Sequence, residues 1–187
     1  MSLTPQAGRR RALALLAGAP LLLAGCGFQL RGSRPLPFES IYLSMYQYSE
    51  LAAAIRRQIR ANGNTIVTEK PEDTQVRLEV QADIKDKQIL ALNAQGRVRE
   101  YKLRYRFVFR LVDKAGREVL PSSQIFLFRD QAFDDTQLLA KQQEEVLLYR
   151  DMQNDLVQQL MRRLAAAKMP EAPPAAPSPA AAPAPKP

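Results

Sequence analysis

Histidine is absent from the 187 residues, and cysteine occurs once, at Cys26. These two shortages remove zinc sites built on imidazole or clustered thiolates, along with catalysis by a histidine base and, with Cys26 acylated as read below, by a cysteine nucleophile. The eight glycines form no phosphate-cradling loop. An enzyme relying on carboxylates alone stays open, yet no Asp/Glu pair stands out, and spacing in sequence cannot measure one. No internal repeat is visible. Long apolar runs are missing as well: residues 12–23, after Arg9, Arg10 and Arg11, are too short to span a bilayer.

What remains at the N-terminus has the layout of a secretory signal, with a positive start, a short apolar stretch and small residues at its end. Leu23-Ala24-Gly25-Cys26 resembles a bacterial lipobox, in which Cys26 is diacylated on sulfur and becomes the mature N-terminus. A simple signal peptide with a chance cysteine is the alternative. An unpaired thiol in an oxidising compartment is a liability, whereas a lipidated one is not. Each buried methylene contributes about 0.8 kcal/mol, so several acyl chains make a stable anchor. The expected additions are a diacylglycerol and an N-acyl chain on Cys26, with no other cofactor. Gly27 stands where lipoproteins kept in the inner membrane often have aspartate, which points to outer-membrane lipid.

Without residues 1–25, 162 residues remain, the size of one domain. The signal holds three of the 27 basic residues and no acidic ones, leaving 24 against 19 and a net charge of +5. That excess suits an anionic partner such as phosphate-bearing lipid, and nothing points to nucleic acid. The tail from Pro170, "PEAPPAAPSPAAAPAPKP", carries eight of the fourteen prolines and is expected to be extended and disordered. The expected division is a signal over 1–25, an anchored linker over 26–37, one α+β domain over 38–168 and a Pro/Ala-rich tail over 169–187.

Within the body, "SIYLSM" from Ser40 reads as a short strand. Ser49 can cap a helix with Leu51, Ile55 and Ile59 on one stripe and Asn62-Gly63 at its end. Arg56, Arg57 and Arg60 lie off that stripe and read as a solvated face. Ile66-Val67 is a brief strand. "VRLEVQADI" and "YKLRYRFVFRL" alternate apolar and polar residues, and the turn at 93–96 joins them with Gly96 available for positive φ. "DKAG" at 113–116 is the next turn, and "SSQIFLFRD" after Pro121 is a last strand. A long helix starts near Asp134 to Thr136, keeps Leu138, Tyr149, Met152, Leu156, Leu160 and Leu164 in helical phase, and stops before Pro170. This order predicts a two-layer α+β sandwich: a mostly antiparallel or mixed sheet of four to five strands, with both helices on one face.

The lipobox running into "GCGFQLRG", the two long strands and the late helix "LLAKQQEEVLLYRDMQNDLVQQL" together resemble the LptE family of lipopolysaccharide-assembly lipoproteins. The resemblance implies a protein without catalytic activity at the periplasmic face of the outer membrane. It implies one that plugs the lumen of the LptD β-barrel, helps it assemble and binds lipopolysaccharide. It also implies a ligand-binding lysine early in the last helix, a place held here by Lys141. An arginine before the hairpin turn is implied too, but Ala94 stands there, leaving Arg97 or Arg99 to take its part. A lipoprotein that only scaffolds a barrel or the cell wall is the competing reading.

Residue numbers summing to 189 set the expected hairpin register: Leu78 opposite Leu111, Val80 opposite Phe109, Ala82 opposite Phe107 and Ile84 opposite Tyr105. On the other face Glu79 meets Arg110 and Asp83 meets Arg106. Lys85 then faces Arg104 and Lys87 faces Lys102, like charges that destabilise a sheet unless an anion bridges them. Lys85, Lys87, Lys102 and Arg104, extended by Arg97 and Arg99, are therefore candidate ligands for lipopolysaccharide phosphates. Lysines that guard a solvated sheet against edge pairing are the plainer explanation, and a bulge near Lys85 to Lys87 would shift the last two pairings. Lys141, one turn into its helix, could join free backbone amides around a phosphate, in competition with Asp134 and Asp135.

Overall fold

Ser49 begins the first described helix of the computed structural model, which describes residues 35–170. Its Oγ accepts a hydrogen bond from the Ala52 N–H at 3.1 Å, satisfying one of the open donors of α1 (Glu50–Ala61). Leu51, Ile55 and Ile59 are buried along one stripe, and the chain leaves the helix through Asn62 and Gly63, whose φ is +81°. α1 supplies the crossover that a parallel strand pair requires, between β1 (Ser40–Ser44) and β2 (Ile66–Thr68).

β1 also pairs in parallel with β3 (Val76–Leu92), after which β3, β4 (Val98–Asp113) and β5 (Glu118–Ala132) run antiparallel. The sheet order is β2-β1-β3-β4-β5. With α2 (Leu138–Ala165), entered through a 3-10 turn at Asp135–Gln137, this is the expected α+β sandwich with a mixed sheet. The core lies between the layers. Leu103, Tyr105, Phe107, Phe109 and Leu111 alternate inward from β4, meeting Ile55 and Ile59 of α1 and Met152, Leu156, Leu160 and Leu164 of α2. The lipobox-like segment expected to end at Cys26 and the tail from residue 171 lie outside the described residues.

Three strand features depart from the sequence reading. β3 and β5 are longer than expected, and Pro121 lies inside β5 rather than before it. A proline cannot donate to a ladder, but β5 is an edge strand, and Pro121 sits where the β4–β5 register slips between Phe109↔Ser123 and Leu111↔Leu120.

The third departure matters most. Leu78↔Leu111, Glu79↔Arg110 and Val80↔Phe109 pair as expected, and then a bulge at Gln81 inserts one residue into β3. Beyond it Ala82 faces Val108, Asp83 faces Phe107, Ile84 faces Arg106 and Lys85 faces Tyr105. The expected pairs Ala82–Phe107, Ile84–Tyr105, Asp83–Arg106, Lys85–Arg104 and Lys87–Lys102 are therefore absent. A one-residue slip exchanges the two faces of a strand, so Ile84 turns outward, 40 % exposed, while Lys85 and Lys87 move to the helix side.

α2 departs from expectation in its first half. Leu138 keeps the helical phase of the buried stripe, yet it is exposed, and full burial begins only at Met152. Beside that half, the inner face of β3 carries Asp83, Lys85 and Lys87 instead of apolar side chains.

Candidate functional site

The hairpin turn is rigidly specified. The Asn93 side chain accepts from the N–H groups of Gln95 and Arg97 at 3.0 and 2.9 Å, and Gly96 supplies φ +75°. From this turn Arg97 and Arg99 project as exposed side chains, and neither has an ion-pair partner among the described residues. The start of α2 lies at the same end of the body. The Phe133 N–H donates to Arg99 O at 2.8 Å, the Tyr101 and Phe133 rings meet edge to face at 5.2 Å, and Gln131 Nε2 donates to Lys141 O at 2.8 Å.

The other expected cations are accounted for within the protein. Lys87 Nζ donates to Glu145 Oε2 at 2.7 Å and lies 4.6 Å from the Tyr101 ring centroid. Lys85 Nζ donates to Gln153 Oε1 at 3.3 Å, 5.0 Å from the Tyr105 centroid and 5.9 Å from that of Tyr149. It lines a cleft of about 240 Å³ with Glu50, Val146, Tyr149 and Arg150. Arg104 pairs with Asp86, its Nε donating at 2.9 Å, and Lys102 Nζ lies 3.8 Å from Asp130 Oδ1 and 5.1 Å from the Phe128 centroid. The cluster thus splits by face: Lys85 and Lys87 against α2, Lys102 and Arg104 on the open face. The expected like-charge pairs do not form, and three of these four cations have carboxylate partners, two of them, Asp86 and Asp130, on the sheet itself.

Lys141 is one turn into α2, 2.8 Å from Glu144 Oε2. The turn before it is already capped, because Asp134 Oδ1 accepts from the Thr136 N–H and hydroxyl at 2.9 and 2.8 Å. These bonds hold the Asp134 carboxyl below its ordinary value, with a smaller contribution from the charge of Lys141. Asp134 therefore takes one of the amide donors expected to join Lys141 at a phosphate, while α2 itself has no side-chain cap at Gln137.

Two features were not anticipated. Arg106, assigned above to Asp83, stands exposed on the open face between Ile84 and Phe126. Exposed apolar side chains also collect at the hairpin and at the start of α2: Ile89, Leu90 and Leu92 on β3, and Leu138, Leu139, Val146 and Leu147 on α2. Their hydrophobicity was visible in the sequence, but helical phase does not reveal where the opposing layer ends. Among the described residues no His/Cys/Asp/Glu group could hold a metal, and no helix is long and apolar enough to cross a membrane.

The family model LptE, described as lipopolysaccharide-assembly, matches residues 38–164. The chain belongs to the LptE family. Its similarity to curated members of the family extends over most of its length. It is 30% identical over 168 residues to the LPS-assembly lipoprotein LptE of Photorhabdus laumondii, covering 86% of this chain and 84% of that one. It is 33% identical over 160 residues to the Yersinia pestis protein of the same name, covering 83% and 76%. Among solved structures, uncharacterized lipoprotein B from Nitrosomonas europaea is similar at 38% identity and a TM-score of 0.65, covering 75% of this chain and 91% of that one. The rare lipoprotein B from Shewanella oneidensis is similar at 27% identity and a TM-score of 0.60, covering 68% and 95%. LptE membership places this chain among proteins of lipopolysaccharide assembly.

Proposed function

We propose that this LptE-family protein is a non-enzymatic outer-membrane lipoprotein, anchored on the periplasmic side through acylated Cys26, that binds lipopolysaccharide and plugs and helps assemble an LptD barrel. One observation carries the ligand half of this reading: Arg97 and Arg99, without carboxylate partners among the described residues, share one end of the body with seven exposed apolar side chains, from Ile89 to Leu147. Lipopolysaccharide is an anionic amphiphile with phosphates and acyl chains together. Guanidinium groups bind phosphate through paired charge-assisted hydrogen bonds, and apolar side chains offer the acyl chains a surface outside water. Lys141, with donors beyond the one given to Glu144, extends the cationic edge.

Support for a protein partner comes from the same surface, because apolar patches of this kind on soluble bodies mark interaction sites. The test is purification of the full chain from outer membranes after photo-crosslinking at Leu139, Leu147 and Phe126. The reading expects one large barrel protein trapped at these positions and lipopolysaccharide in the purified complex. Peptidoglycan alone, or many unrelated proteins trapped equally, would replace it with the scaffold reading.

A further inference from the structure

Arg56 and Arg60, which the sequence places on a solvated helix face, instead line a cleft of about 380 Å³ at the carboxyl ends of the parallel strands β1 and β2. The crevice outside the carboxyl ends of parallel strands joined by a helix is where such folds commonly bind ligands. Tyr46, Tyr48, Thr68 and Glu69 line it as well.

We infer that this cleft binds an acidic saccharide, a sugar bearing phosphate or carboxylate. The two tyrosines are 73 % and 77 % exposed, and their rings are held edge to face at 5.7 Å and 70°. This arrangement leaves ring faces open to water beside a polar cleft. Tyrosine pairs an apolar face, suited to the C–H face of a pyranose, with a hydroxyl that bonds at the rim. Arg56 fixes the segment carrying these rings, its Nη2 donating to Gln47 O at 2.7 Å, and keeps its other N–H groups for a ligand. Arg60, one turn further along α1, is exposed and has no ion-pair partner among the described residues. Glu69 is the one carboxylate in the lining, so two cations outweigh one anion and the ligand is negative. Glu69 and the Thr68 hydroxyl can accept from sugar hydroxyls.

The residue types narrow the class further. Inorganic phosphate would leave the tyrosine faces unused, and a neutral sugar would leave both guanidiniums unmatched. A free sugar phosphate and an acidic sugar of a lipopolysaccharide share the required chemistry. The inference goes beyond the proposed function, since it holds for either source and uses none of the hairpin-end residues.

The experiment titrates the full chain in detergent with glucosamine 6-phosphate, N-acetylglucosamine or inorganic phosphate, followed by NMR. Saturable binding of glucosamine 6-phosphate is expected, with the other two probes each roughly tenfold weaker, the size of one charge-assisted contact. Arg60→Gln and Tyr48→Ala remove exposed side chains, so both variants should fold; each should weaken binding about tenfold. Lys114→Gln, which removes an exposed cation outside both the cleft and the hairpin end, should leave it unchanged. Competition with lipopolysaccharide then identifies the source: displacement points to its sugars, no displacement to a free sugar phosphate, and the inference stands in both cases. Absence of saturable binding, equal affinity for inorganic phosphate, or no effect of Arg60→Gln and Tyr48→Ala would overturn it.

Discussion

Lys87 Nζ and Glu145 Oε2 lie 2.7 Å apart, tying the hairpin to α2 across the inner face of the sheet. Both side chains are partly exposed, at 37% and 25%, so the pair contributes about 0.2–1 kcal/mol, with a similar addition from the Tyr101 ring beneath the ammonium. Lys87→Gln, which removes both, is therefore expected to lower stability by up to about 2 kcal/mol in urea denaturation. A rise in stability, as relief of like-charge repulsion would give, would mean that Lys87 does not hold Glu145.

At the turn the expectation reverses. Arg97→Gln and Arg99→Gln break no ion pair among the described residues, so unfolding midpoints should hold while lipopolysaccharide binding weakens. Added salt should weaken the unmodified protein as well, because exposed charges are screened within about 8–10 Å at physiological ionic strength. Lys102→Gln, removing a cation already beside Asp130 and Phe128, should matter less. Equal losses from all three would point to net charge rather than to a site.

Tyr105 is fully buried, and its hydroxyl has no hydrogen-bond partner among the described residues. Burial, reinforced by the nearby Asp83 charge, pushes its ionisation well above the ordinary value. Leaving a buried hydroxyl unsatisfied costs about 1–3 kcal/mol, so Tyr105→Phe should be neutral or stabilising. Denaturant midpoints check this; a marked loss would reveal a partner that forms in solution. Because the folded state resists ionisation while the unfolded chain ionises, the cost of the hydroxyl relative to phenylalanine should also grow as pH rises past about 10.

Acid should loosen the turn at 113–116. Burial pushes the Asp113 carboxyl up, but the Arg117 side-chain and backbone bonds, at 2.7 and 2.8 Å, outweigh it and hold the value below the ordinary 3.8. A depressed carboxylate adds stability that is complete above its unfolded value and disappears as pH falls through the folded one. Arg117→Gln should move the Asp113 midpoint upward in an NMR titration. An unmoved midpoint would show that the guanidinium is not what lowers it.

The anchor is tested chemically. Mass spectrometry of membrane-extracted protein should find Cys26 first and carrying acyl mass, and Cys26→Ser should release a folded body from the membrane. An unmodified chain beginning elsewhere would remove the lipobox assignment.

Much of the fold was legible because local signals agreed with one another. Ser49 marked a helix start, Asn93 to Gly96 a turn, and the β4 alternation from Leu103 to Leu111 is the alternation of its buried face. The candidate site was less legible. Its cations were identified by type, but most of their partners come from distant elements, as Glu145 does for Lys87 and Gln153 for Lys85, and no local pattern encodes such encounters. The Tyr46–Arg60 cleft escaped for the same reason, being assembled from a loop, two strand ends and a helix face.

By itself the sequence determined the class of protein: the lack of histidine and the single cysteine narrowed the chemistry, while the lipobox-like start, the paired long strands and the late helix carried the LptE resemblance. The tertiary structure decided which way the side chains of β3 point. Strand alternation has a period of two, and the extra residue at Gln81 shifts its phase without changing composition or spacing on either side. Ile84 therefore reads inward in the sequence and stands outward in the fold, while Lys85 and Lys87 do the reverse. Such a bulge brings Lys85 and Lys87 to Gln153 and Glu145 of α2, partners that meet them only once both strands and the helix above them are in place.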